Sequence, residues 1–599
     1  MNTFIRPILN SSRICYLRII NGLKNGSASD LKFRSSWTGL SYAHGESKLP
    51  LIGATIGELL GNTADKVPDK TAVEFPFQNI SKTFEQLCEE SDKFAAGLLN
   101  IGLKTGDRVG IWAPNCYEWI LTQYATARVG IIMVNVNPAY QAPELEYVLR
   151  NVGIKALILA EEFKTQKYYE ILQSVCPEIN QCSPGFTKST RLPEFRSAIV
   201  ISEENYPGAF KFKDVYDGAT TELQRKVLDL QGKIQFDDPV NIQFTSGTTG
   251  APKGATLTHH NIANNAYFLG RNLNYHDQES RICVPVPLYH CFGMVMASLQ
   301  CALHATTCVY PAPSFEPEKT LQAVESYKCT ALYGTPTMFI DMLASDLLNK
   351  VDLSSLRNGI MAGSSCPISV MQNVIDKLHM KDVIICYGTT ENSPVTFFST
   401  KDTPVEKRVS TVGKPGPHIE VKVINADGEI VPRGEKGELC TRGYMTMLGY
   451  WNDKKRTAEV IKENRWYHSG DIAYIDEEGY GVIAGRIKDM IIRGGENIYP
   501  IEVEQVLYTH PKIADVQIVG VPSKRLGEEV AAWIKLKDGQ TANEKDIKQF
   551  CKEKMAHFKI PKYIHFVEEY PLTFTGKIQK YKIKEEAVKL FKLEGEFSD

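Results

Sequence analysis

Apolar residues in this chain follow two spacings in turn, one suited to helices and one to strands. Leu87, Phe94, Leu98 and Leu99 form a helical stripe, and Thr83 with Gln86 stands before it at the spacing of a capping box. A turn at Thr105-Gly106-Asp107 leads into the apolar run 108–112, which predicts a strand. A helix over 116–129, a strand over 131–136, a helix around 144–151 and a strand over 156–159 follow. Strand and helix in regular succession predict parallel β-structure covered by helices, an α/β fold. Scattered proline, serine and charge over 180–204 read as a surface loop. The alternation returns with a strand over 240–244 that runs into a glycine-rich loop, read as strand, loop and helix.

The texture changes after Val395. Glycine, proline and short β-type segments over 413–449 predict a small β-barrel-like subdomain, and 485–489 reads as a junction. Beyond it a helix over 501–508, strands over 516–521 and 530–535, and a helix over 543–555 make a compact α+β unit of about a hundred residues. Three parts are therefore expected: a leader and linker over 1–48, a large N-terminal domain over 49–487, and a small C-terminal domain over 488–599.

Composition narrows the function classes. The 599 residues are 43% hydrophobic and 23% charged, as in ordinary globular proteins. A net charge of −2 gives no bias toward nucleic acid or an anionic membrane. No apolar run approaches the ~18 residues a membrane-spanning helix needs, so membrane contact is at most peripheral. The fourteen cysteines include no Cys-x-x-Cys pair and no ligand-spaced cluster with histidine, so buried reduced thiols are expected rather than structural zinc. His290-Cys291 has no partner visible in the sequence that would make the thiol a nucleophile.

The N-terminus carries Arg6, Arg13, Arg18 and Lys24 before its first acid, Asp30, with serines and bulky apolar residues such as Phe4, Ile5 and Leu9 between. That is the pattern of a mitochondrial transit peptide cleaved before Leu49, and hence of a matrix protein; a basic tail is the alternative.

The densest chemistry lies in Thr245-Ser246-Gly247-Thr248-Thr249-Gly250-Ala251-Pro252-Lys253-Gly254. Glycines let backbone N–H groups form a nest around an anion, hydroxyls add donors, and Lys253 adds a charge, so the loop suits polyphosphate. It is not a Walker A loop, because Pro252 stands where that motif needs glycine and no Ser or Thr follows Lys253. Downstream come Tyr387-Gly388-Thr389-Thr390-Glu391, Ser469-Gly470-Asp471, Gly485-Arg486, and Pro571 through Gly576-Lys577.

In this order and approximate spacing the five motifs resemble the adenylate-forming superfamily of acyl-CoA synthetases, luciferases and peptide-synthetase adenylation domains. The resemblance covers the chain from about Leu51 to its end. It implies an ATP-dependent fatty acid–CoA ligase, with medium-chain acids expected, that forms acyl-AMP and pyrophosphate and then passes the acyl group to CoA. An adenylating enzyme with a non-CoA acceptor, or an inactive nucleotide-binding regulator, are the alternatives.

On this resemblance the loop from Thr245 to Lys253 holds the β- and γ-phosphates, Thr390 contributes to ATP binding, and Glu391 helps place Mg²⁺. Tyr387 lies on the adenine, Asp471 accepts from the ribose hydroxyls, and Arg486 contacts the ribose or phosphate side. Lys577 bridges the attacking carboxylate and the α-phosphate. Lys488 is the hinge of a mobile C-terminal domain, and Gly494 and Gly495 line the CoA channel. His290 and Gly363 border the acyl and adenine pockets. The segment Ala362-Gly363-Ser364-Ser365 departs from the commoner Gly-Gly-Ser/Ala-Pro form. The apolar run 291–303 suits an acyl tunnel or a buried helix equally. Fatty acid, ATP and CoA are the expected partners, with oligomeric state left open.

Overall fold

Two large, mainly parallel sheets dominate the computed structural model, which describes residues 39–245, 252–363, 366, 368–552, 554–572 and 578–596. In the first, Ala209–Lys211, Ser197–Ile201, Ala156–Ala160, Arg108–Trp112, Ile132–Asn135 and Pro239–Thr245 run parallel, and Lys253–Thr258 and Gly449–Tyr450 add antiparallel strands. The second centres on parallel Asp382–Gly388, Asn358–Ala362, Ala331–Gly334, Arg281–Cys283, Thr307–Val309 and Thr71–Phe75, with antiparallel strands at both edges. Helices Phe84–Asn100, Tyr117–Arg128 and His259–Asn272 share one buried cluster with both sheets, where Phe94, Trp119 and Ile262 are fully enclosed.

Local chemistry sets these elements. The capping box forms as spaced: Gln86 N–H donates to Thr83 Oγ1 at 3.2 Å, and Thr83 N–H donates to Gln86 Oε1 at 3.0 Å. This satisfies two donors that a helix start leaves unpaired.

A five-stranded antiparallel sheet follows, with Tyr42–His44, Ile419–Ile424, Gly437–Gly443, Tyr467–Ile475 and Gly481–Arg486 in that order. The C-terminal unit pairs Ile513–Ser523 with Gly527–Leu536, flanked by Ile491–Arg493, Glu496–Ile498 and Tyr563–Phe566 and covered by helix Pro500–Tyr508. Among the described residues no helix is long and apolar enough to cross a membrane.

Four expectations change. Residues 39–48 are not all linker, because Tyr42 pairs with Lys422 and its hydroxyl donates to Glu420 at 2.9 Å. The stretch 180–204 is not all loop, because Ser197–Ile201 is a mostly buried strand inside the first sheet. Its apolar run is too short to outweigh the charges on either side in a sequence reading. The glycine-rich loop leads not into a helix but into the antiparallel strand Lys253–Thr258, with Thr245 opposite Lys253. Ala255 and Leu257 are buried in that strand, and Thr258 then caps the helix. Finally, 291–303 is a buried helix: a π-helical turn Phe292–Ala297 runs into Ser298–His304. The expected leader, 1–38 of it, lies outside the described residues.

Candidate active site

Parallel sheets bind ligands beyond the carboxyl ends of their strands. Thr245 ends one such strand, Tyr387-Gly388 ends another, and Gly363 directly follows a third with φ +103°, where glycine is favoured.

The Tyr387 hydroxyl donates to Asp471 Oδ2. Asp471 and Arg486 are opposite each other on adjacent antiparallel strands, and Arg486 Nε lies 3.2 Å from Asp471 Oδ1. Asp471 is only 4% exposed. Burial pushes its carboxyl pKa up, while the Arg486 charge and the Tyr387 hydroxyl pull it down. Burial, and then the Asp471 charge, hold the Tyr387 phenol far above its ordinary range, so it stays a neutral donor. A carboxylate is thus held, nearly enclosed, with acceptor capacity beyond its two partners.

Glu391 sits in the 3₁₀ turn Thr390–Asn392 and is 8% exposed. Tyr450 donates its hydroxyl to Glu391 Oε1 at 2.8 Å, and Met447 N–H donates to the Glu391 carbonyl at 2.9 Å. Tyr450 arrives by strand pairing with Ala255, two residues past the loop lysine, and Lys253 Nζ lies 5.0 Å from the Tyr450 ring centroid. The buried Tyr467 phenol is pushed up by burial first and next by Glu391, with Tyr450 and Tyr387 also acting on it; it stands between the two groups.

On the other side, Thr390 Oγ1 lies 3.9 Å from Cys291 Sγ, which is 3.6 Å from His290 Nδ1. Phe292 N–H donates to the same His290 nitrogen at 3.1 Å. Lys253, Thr390, Glu391, Tyr387, Asp471, Arg486 and His290 thus surround one region. Ser246, Gly247, Thr248, Thr249, Gly250, Ala251 and Lys577 lie outside the described residues.

This arrangement recurs in known proteins. The chain matches "AMP-binding enzyme" over residues 60–451 and "AMP-binding enzyme C-terminal domain" over residues 502–577. It belongs to the AMP-binding enzyme family. It is 51% identical over 551 residues to "Medium-chain acyl-CoA ligase ACSF2, mitochondrial" of Danio rerio, covering 92% of this chain and 91% of that protein. The human protein of that name is 48% identical over 556 residues, with 92% and 90% covered. The fold matches the anthranilate CoA ligase AuaEII in complex with anthranoyl-AMP at a TM-score of 0.79 and 27% identity, over 91% of this chain and 99% of that one. ATP-bound MatB from Rhodopseudomonas palustris matches at 0.76 and 25%, over 89% and 99%. The chain is an enzyme of the adenylate-forming kind.

Between the two matched segments of this AMP-binding enzyme lies the junction. Lys488 occupies the turn Ile487–Asp489 and is exposed. Burial against the surrounding protein, and then the Arg486 charge, draw its ammonium pKa down, and Lys253 adds to this, so the junction lysine and the loop lysine share a neighbourhood. Gly494 and Gly495, at φ +60° and +87°, make the turn between Ile491–Arg493 and Glu496–Ile498. Gly494 N–H donates to Leu526 at 2.7 Å, which ties that hairpin to its own domain rather than to the Tyr387–Asp471 group. Lys436, just before strand Gly437–Gly443, pairs with Glu502 of helix Pro500–Tyr508, and its ammonium lies 4.2 Å from the Tyr499 ring centroid. Such partly exposed pairs contribute ~0–1 kcal/mol, so this contact is a weak fastening.

A polar cavity of about 80 Å³, lined by Asn272, Asn274, Arg357, Asn358, Asp382 and Lys401, opens at the amino ends of strands Asn358–Ala362 and Asp382–Gly388. It is at the far edge of the sheet from the site. The sequence reading missed Tyr450 and Tyr467. Their only signal is position, one before Trp451 and one four residues before Asp471, and both acquire their roles through strand pairing.

Proposed function

We propose that this chain is an ATP-dependent acyl-CoA ligase that activates medium-chain fatty acids in the mitochondrial matrix. The observation that carries the reading is the joining of Tyr387, Asp471 and Arg486 beside Glu391 and the lysine of the glycine-rich loop. The first step brings an anionic acid to an anionic phosphate, so catalysis rests on neutralising charge and aligning the carboxylate with the α-phosphorus. Asp471 accepts from the ribose hydroxyls, Tyr387 covers the adenine, and Arg486 faces the ribose or phosphate. The loop from Thr245 to Lys253 takes the β- and γ-phosphates, and Lys577 bridges the carboxylate and the α-phosphate.

Glu391 fits a hard cation. Tyr450 engages one of its oxygens and leaves Oε2, and the neighbouring Thr390 offers another oxygen donor. Mg²⁺ held there would offset phosphate charge. The second step needs a thiol on the side that Lys577 occupies. Rotation about Lys488 clears Lys577 and brings Gly494 and Gly495 to the CoA channel, and the weak Lys436–Glu502 fastening suits a domain that must let go.

Pyrophosphate release is expected with short, medium and long fatty acids in graded fashion, highest in kcat/KM for medium chains, with acyl-CoA formed in equal amount when CoA is present. Pocket depth sets the grading at ~1–3 kcal/mol per methylene. No pyrophosphate with any acid sinks the ligase reading. Pyrophosphate without acyl-CoA would assign the acyl group to another acceptor.

Localisation has its own test. The relatives named mitochondrial and the acid-free arginine-bearing stretch before Asp30 support import. Residues 1–38 fused to a reporter are expected to carry it into the matrix, cleaved ahead of the strand Tyr42–His44. A reporter left in the cytosol would remove this assignment.

A further inference from the structure

Three side chains outside the adenylate cleft converge with metal-ligand chemistry. Glu438 and Cys440 lie two apart on strand Gly437–Gly443 and share a face. His468 on strand Tyr467–Ile475 is the antiparallel partner of Cys440, which puts its side chain on that same face. One donor atom from each lies within 4.8 Å of the others. His468 Nδ1 is already 2.8 Å from Glu438 Oε2. Cys440 is fully buried, while the other two are 23% and 22% exposed and form the way in.

We propose that Glu438, Cys440 and His468 form a divalent transition-metal site, with Zn²⁺ the fitting ion, that inhibits the enzyme when filled. A thiolate, an imidazole and a carboxylate are the donor types of zinc, and three protein ligands leave a fourth position for water. Zinc bonds of ~2.0–2.3 Å place tetrahedral donors about 3.3–3.8 Å apart, so closing the site takes side-chain shifts of about 1 Å. Binding displaces the Cys440 thiol proton to solvent and requires a neutral His468. The lysine facing Cys440 across the sheet, Lys422, has its ammonium 4.7 Å from the Trp466 ring centroid rather than free to fill the site. Soft sulfur and imidazole select against the Mg²⁺ that accompanies ATP.

Inhibition follows from a second bond. Glu438 Oε1 accepts from Gly470 N–H at 3.2 Å, and Gly470, at φ +70°, sets the turn into Asp471. A metal that parts Glu438 from His468, now 2.8 Å apart, and draws its carboxylate toward Cys440 pulls away the anchor of the residue assigned to the ribose. The metal site stands independently of the proposed reaction; its consequence for ATP rests on that reading.

The test uses the full chain stripped of metal with a chelator and titrated with Co²⁺. One equivalent is expected to bind with a near-ultraviolet sulfur-to-cobalt charge-transfer band and strong tetrahedral ligand-field absorption. Cys440→Ser is expected to lose the charge-transfer band and to hold Zn²⁺ about tenfold or more weakly. His468→Gln, which keeps the thiolate, is expected to hold Co²⁺ and Zn²⁺ about tenfold or more weakly and serves should the serine variant not fold. In pyrophosphate assays with Mg·ATP, added Zn²⁺ should raise the apparent KM for ATP several-fold in the parent and leave Cys440→Ser unaffected. Cobalt bound without the band, or bound equally by both variants, overturns the site. The band with unchanged ATP dependence overturns the link to Asp471.

Discussion

Lys577→Ala is expected to lose adenylation by ~10²–10³-fold, the scale of removing one preorganised electrostatic donor, while still passing ready-made acyl-adenylate to CoA at near the parent rate. The asymmetry follows from where charge develops. In the proposed reading Lys577 acts on the carboxylate and α-phosphate oxygens while the new bond forms, and domain rotation takes it away before the thiol attacks. Lys488→Pro should show the reverse. Proline fixes φ near −65° and removes an N–H, so the turn Ile487–Asp489 cannot reach both of its conformations. The first step then survives and thioester formation stalls. Hinge residues absorb backbone rotation without touching substrate, so the effect falls on the domain motion. Rapid-quench measurement of each half-reaction checks both variants. Equal damage to both steps in both would mean that a single domain position serves the whole reaction.

What was legible in the sequence was local or motif-bound. Thr83 and Gln86 announce their helix because a capping box involves only four consecutive residues, and the apolar stripe behind it fixes the buried face. Tyr387 and Asp471, 84 residues apart, were assigned to one site by motif order alone, and the structure joins them by a hydrogen bond. What was not legible depends on which strands become neighbours. The segment after the glycine-rich loop read as a helix; the pairing of Lys253–Thr258 with Pro239–Thr245 and with Gly449–Tyr450 makes it a strand and brings Tyr450 to Glu391. The short strand Tyr42–His44 is set by its partner Ile419–Ile424, with 378 positions separating Tyr42 from Glu420. Cys440 and His468 have no motif spacing, and the sheet register alone sets them side by side.

Asp471→Ala is expected to raise the KM for ATP by roughly 5- to 150-fold, with the KM for the fatty acid far less affected. The estimate rests on one hydrogen-bonded carboxylate, since leaving a polar partner unmet costs ~1–3 kcal/mol and each 1.4 kcal/mol is about tenfold. The loss could fall on the fold rather than on ATP, and exposure decides between them. Arg486 is 52% exposed along its side chain, so water can solvate the guanidinium once Asp471 is gone. The ribose hydroxyls, by contrast, would face a methyl group that can accept nothing. Asp471→Asn retains an acceptor oxygen and the side-chain volume but loses the charge that Arg486 and ribose share, so its KM for ATP should fall between parent and alanine. Initial rates at varied ATP, together with thermal unfolding to show that both variants are folded, make the comparison. A folded Asp471→Ala enzyme with the parent's ATP dependence would take Asp471 out of the nucleotide site and leave its bonds to Tyr387 and Arg486 as a structural tie between the second large sheet and the antiparallel sheet.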